Sequence, residues 1–104
     1  MKITTQDMFS DQKIKKTLGL VKGNTVRARN IGTDLLAGLR GIIGGEVGGY
    51  TKLLMQTREQ AVKRMLDEAD EIGADGIVCV RITTSNVARG MIEIVAYGTA
   101  VKLS

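Results

Sequence analysis

The chain has no proline, no histidine and no tryptophan, and its 104 residues include one cysteine, one phenylalanine and two tyrosines. Each gap removes a class of explanation. Without histidine, the Ser–His and Cys–His pairs that activate a nucleophile cannot be built. One thiol and no imidazole cannot supply the three or four soft ligands of a zinc-type site within one chain. A lone Cys79 forms no internal disulfide, which suits a reducing compartment. With no proline, nothing suggests a rigid linker, and one domain over residues 1–104 is expected. The strongest apolar run, Ile77 to Val80, is far too short to span a bilayer. The opening MKITTQDMFSDQK lacks the apolar stretch of a signal peptide. These readings predict a cytoplasmic protein with no membrane partner.

What is present is small and flexible. Thirteen glycines and an apolar share of 43% imply a core of Val, Ile, Leu, Met and Ala around closely spaced backbones. Such a core gains less per residue than an aromatic one, so further burial between copies of the chain is expected. The formal charge is +4, with eight Lys or Arg against three Asp in residues 1–40. Lys13, Lys15, Lys16, Lys22, Arg27 and Arg29 make that segment basic, which raises nucleic acid as an alternative partner. Stacking aromatics are absent from the segment except Phe9, which argues against it.

Local patterns place the elements. Residues 14–30 read as extended, interrupted at Lys22-Gly23-Asn24, where Gly-Asn predicts a bulge or tight turn. Thr33 or Asp34 can cap a first helix that presents Leu35, Leu36, Leu39, Ile42 and Ile43. The segment GIIGGEVGGY, residues 41–50, has neither the G-x-G-x-x-G spacing nor the Gly-Lys-Ser/Thr of a phosphate loop, and predicts a turn or helix break. A second helix follows, with Leu54, Ala61, Val62, Met65, Leu66, Ala69 and Ile72 as its apolar stripe. Glu59 with Lys63 and Gln60 with Arg64 are i,i+4 pairs on its wet face. Gly73 stands where a C-cap glycine belongs. Two strands, 76–85 and 91–103, end the chain around a loop at 85–90. The last strand is apolar on both faces, which points to a partner subunit.

Candidate chemistry is sparse. Cys79 sits inside a strand, where a thiol usually packs as a small hydrophobe. Asp67, Asp70 and Glu71 share one side of the helix end and could hold a hard cation; a solvated acidic face is the simpler reading. Arg40, Glu46, Tyr50 and Arg58 surround the glycine segment. There the arginines could hold an anion, Glu46 could accept or coordinate, and Tyr50 could anchor the loop.

Taken together, Leu18-Gly19-x-Val21, Gly44-Gly45 before Tyr50, Arg58-x-x-Ala61, Gly73-Ala74-Asp75 and Tyr97-Gly98-Thr99-Ala100-Val101 closely resemble the YbjQ-like family, described as heavy-metal-binding. The resemblance runs from about Ile14 to Val101. It implies a small α+β subunit, dodecin-like, with a mainly antiparallel three-stranded sheet packed on a long helix and assembled into a homopentameric ring. The expected function is a homo-oligomeric binding protein for a metal ion or small anionic ligand, at Arg40, Glu46, Tyr50 and Arg58. Cys79, Asp67, Asp70 and Glu71 are the metal candidates. The alternatives are a metal-dependent hydrolase using carboxylates and a nucleic-acid binder.

Overall fold

A C-terminal β-hairpin organises the molecule, and every other described element packs against it. The structure is a computed structural model and describes residues 1–28 and 48–104. In chain order its elements are β1 (Lys2–Ile3), β2 (Ile14–Ala28), α1 (Gly48–Glu71), β3 (Gly76–Ala88) and β4 (Met91–Leu103). The sheet order is β1-β3-β4-β2. Strand β4 pairs antiparallel with both β3 and β2, while β1 runs parallel to β3. The sheet is therefore four-stranded and mixed, not three-stranded. Strand β1 gives no periodic signal because it is two residues long. It is fixed by tertiary contacts: Thr4 N–H donates to Ile77 O, and Val80 N–H donates to Thr4 O.

Helix α1 lies over β2 and β4 and buries Ala61, Met65 and Ala69 against Val21, Ile77, Val80, Ile94, Ala96 and Ala100. Each large apolar side chain buried there contributes roughly 1.5–3 kcal/mol. The helix begins at Gly48, so Gly48 and Gly49, expected in a turn, belong to its first turn. The predicted helix from Thr33 and residues 41–47 of the glycine segment lie outside the described residues. At the other end the prediction holds. Gly73, at φ +76°, donates to Asp70 O, and Ala74 donates to Ala69 O, the paired bonds of a Schellman cap. Ile72, expected on the buried stripe, is 47% exposed because the chain has already turned off the helix axis.

The polar side of α1 departs from expectation as well. Gln60 accepts from Arg27 at 2.7 Å, and Arg64 donates to Asn24 O at 2.7 Å. Lys63 reaches Asp67 at 3.0 Å. Strand β2 offers Gln60 and Arg64 partners that an isolated helix lacks, so their expected pairing gives way to cross-element bonds, while Lys63 keeps a partner within the helix in Asp67.

Strand β2 passes Gly23 with no shift in its pairing register. Its irregularities fall between Ile14 and Lys16 and between Thr17 and Gly19, and Gly19, not Gly23, has positive φ, at +127°. One extra residue, Leu18, shifts the side-chain alternation. Leu18 packs on the core and then Val21, Gly23 and Thr25 face α1. Gly23 is glycine for a packing reason: a Cβ there would collide with Ala61 O and Met65 N and stand 2.7 Å from Arg64 Cβ. The β3–β4 hairpin is likewise tighter than expected. Its ladder continues to Ala88 and Met91, so Arg89-Gly90 alone makes the turn, with Gly90 at φ +75°.

Candidate functional site

The functional reading depends on which residues the sheet places on its face away from α1. Because Val21, Gly23 and Thr25 face the helix, Leu20, Lys22, Asn24 and Val26 face away. By the same alternation β4 presents Glu93, Val95, Tyr97 and Thr99 on that face, since Ile94, Ala96 and Ala100 lie in the core.

Strand β3 reaches the same face through a β-bulge. Val78 pairs with Thr99 and Arg81 with Tyr97, so Cys79 and Val80 together oppose Gly98. Cys79 takes the extra-residue position at φ +56°, a left-handed conformation that non-glycine residues seldom adopt. The bulge keeps Ile77 and Val80 in the helix-side core. Val78 and Cys79 turn toward Phe9, Val101 and Leu103 on the outer face. Sequence periodicity placed Cys79 inside a regular strand; the structure places it, half-buried, at a strand irregularity.

The N-terminal segment covers that end of the outer face. Gln6 O accepts from Cys79 N–H at 2.8 Å. Phe9 lies on Gly76, whose missing Cβ would approach the ring to 2.9 Å. Lys2 holds the segment closed. Its Nζ stands 5.3 Å from the Phe9 ring centre and donates to Asp11 at 2.6 Å and Gln12 at 2.9 Å. That hydrogen bond from Lys2 lowers the Asp11 pKa below its ordinary value. Residues Asp7–Ile14 line an open depression of 750 Å³; of its two carboxylates, Asp7 and Asp11, the latter is already bound by Lys2. The apolar outer face of β4 is thus covered within the chain at Val101, while Val95, Tyr97 and Thr99 stay half-exposed.

Beyond this cover, the register aligns one cross-strand row. Lys22 is the partner of Tyr97 on one side and Arg81 on the other. Tyr97 therefore sits between two cations on the open face. Arg81 Nη1 donates to Thr5 O and Val80 O, each at 2.8 Å, which fixes the guanidinium; among the described residues its Nε and Nη2 have no partner. Among the described residues, neither Lys22 nor Tyr97 has a side-chain hydrogen bond or ion pair. No sequence pattern reports this row, because its three members come from three strands and two bulges set their alignment.

The predicted site residues are not gathered in this way. Arg40 and Glu46 lie outside the described residues. Tyr50 stands in the first turn of α1. Arg58, Asp67, Asp70 and Glu71 are exposed along the helix, with Asp67 paired to Lys63. Asp75, a little further along the chain, serves the fold, since its carboxylate accepts from Leu103 N–H at 2.9 Å. Among the described residues, no three Cys, Asp or Glu side chains are placed to hold a metal ion. None of the described helices is long and apolar enough to cross a membrane.

Known proteins offer four matches. A family model described as "Putative heavy-metal-binding" matches residues 1–104. A UPF0145 protein of Methanococcus maripaludis is 55% identical over 103 residues, covering 99% of this chain and 92% of that one. One from Halorubrum lacusprofundi is 50% identical, covering 99% of each chain. Among solved structures, a Pediococcus pentosaceus protein of unknown function in the DUF74 family superposes with a TM-score of 0.70 at 18% identity. That match covers 100% of this chain and 98% of the other, and it supports the fold alone.

Proposed function

The chain belongs to the YbjQ-like family of UPF0145 proteins, and from that premise we propose that it works as a homo-oligomeric binding protein. Copies close into a ring, pentameric as the resemblance implies, and the assembly holds an anionic ligand. The observation that carries the ring is a pair of open strand edges. Among the described residues, β2 pairs only with β4, and β3 from Arg81 to Ala88 pairs only with β4. Both edges bear exposed apolar side chains: Leu20 (66%) and Val26 on one, Ile82 and Val87 (51%) on the other. Uncovered edges of this length are aggregation templates unless something pairs with them. Joining the β2 edge of one copy to the β3 edge of the next is a head-to-tail contact, the kind that closes into rings.

The heavy-metal description fits these residues poorly. The chain has one thiol and no imidazole, and its described carboxylates form no cluster of three. Unpaired cations on the outer face favour an anion instead.

Native mass spectrometry of tag-free protein, with elemental analysis of the same preparation, tests the reading. Five copies of the 11.2 kDa chain give a species of about 56 kDa. A stable monomer at micromolar concentration would sink the ring. Stoichiometric heavy metal would replace the anion with a metal as the ligand.

A further inference from the structure

We infer that the row Lys22–Tyr97–Arg81 binds single-stranded nucleic acid, one nucleotide per chain, with a base on the Tyr97 ring and its two flanking phosphates on Lys22 and Arg81. The inference deepens the binding half of the proposal above and does not need the ring, since one chain supplies all three residues.

The geometry carries it in three steps. Adjacent strands lie about 4.8 Å apart, so residues two strands apart stand roughly 10 Å from one another with the aromatic midway. A nucleotide within a strand has the matching order: phosphate, base, phosphate. The cations are also available. Among the described residues Lys22 has no acidic partner, and Arg81 is anchored through one nitrogen by two carbonyls, leaving its remaining donors in a fixed, forked arrangement suited to phosphate. The surrounding rows then leave the field positive. Leu20 opposite Thr99, and Asn24 opposite Val95 and Thr83, are uncharged. The nearest carboxylate on the β4 outer face, Glu93, pairs with Val26 and Ser85 two rows away. An open sheet face with an aromatic flanked by cations is the arrangement that sequence-tolerant single-strand binders use. The basic N-terminal segment lacks an aromatic of its own at Lys22; β4 supplies one across the sheet.

Fluorescence anisotropy with labelled oligouridine, at about 50 mM salt and upward, tests this. The intact protein should bind, with an affinity that falls as salt rises. Tyr97→Ala should weaken binding about 5- to 100-fold, the loss expected of one stacked base, while Tyr97→Phe should retain it and serve as the folding control. Lys22→Gln, at an exposed residue with no partner among the described residues, should lower the affinity and flatten the salt slope. No binding at low salt overturns the inference, and so does binding that neither Tyr97→Ala nor Lys22→Gln reduces. Uridine monophosphate competing as well as the oligomer would overturn it too, because the second phosphate would then contribute nothing. Native mass measured on each variant keeps a failed ring separate from a failed row.

Discussion

Replacing Gly23 with alanine tests the central packing contact of the fold. In an ordinary strand the change would help, since alanine restricts the unfolded chain and gains about 0.5–1 kcal/mol. Here the new methyl meets the backbone of α1: it collides with Ala61 O and Met65 N and stands 2.7 Å from Arg64 Cβ. Non-bonded carbons prefer about 3.5–4.0 Å, so the helix must retreat by roughly 1 Å. Backbone in a helix cannot step aside as a side-chain tip can. Retreat loosens Val21 and Met65, both fully buried, and strains the Arg64–Asn24 bond. Overpacking of this kind costs about 1–3 kcal/mol, and more where nothing yields. After the chain-entropy gain, a net loss of about 2 kcal/mol or more is expected. Denaturant unfolding at fixed protein concentration should show the midpoint falling with an unchanged slope. Thermal unfolding should fall by about 8 °C or more. A variant as stable as the parent would refute the reasoning, because α1 would then not be seated on β2 at this distance.

Two further outcomes follow from single positions. Cys79 occupies a left-handed conformation that β-branched residues avoid and glycine adopts freely. Cys79→Val should therefore cost about 2 kcal/mol and Cys79→Gly distinctly less, a ranking that denaturant midpoints can reverse. Thr25 is buried, and among the described residues its hydroxyl has no partner, so Thr25→Val should leave stability unchanged or raise it by about 1 kcal/mol; a loss of that size would reveal a partner for the hydroxyl.

Elements whose signal is local were legible in the sequence. The stripe from Leu54 to Ala69 announced α1, and Gly73 announced its end, because helical periodicity and capping are set within a few residues. What was lost depends on contacts between distant segments. Gly23-Asn24 looks like a turn, yet glycine there makes room for a helix; the dipeptide is the same in both cases. Single inserted residues at Leu18 and Cys79 change which face every following side chain occupies, and nothing in the neighbouring residues marks them. Strand β1 is invisible because two residues have no period. Site residues chosen for proximity in sequence, such as Arg58 and Asp67, are spread along a solvated helix. The row at Tyr97 is assembled from β2, β3 and β4, so only the register reveals it.

Strand order also dictates when the fold can form. The first strands to be synthesised, β1 and β2, have as partners β3 and β4, the last. Until the C-terminal hairpin exists, Phe9 has no Gly76 to lie on and β2 has no ladder to join. Helix α1 and the tight hairpin at Arg89-Gly90 are the parts that can form early, from contacts near in sequence. Residues 1–28, which are basic, must wait for their strand partners until the C-terminal hairpin is made. Truncating the last strand would then release β2, whose ladder among the described residues is with β4 alone.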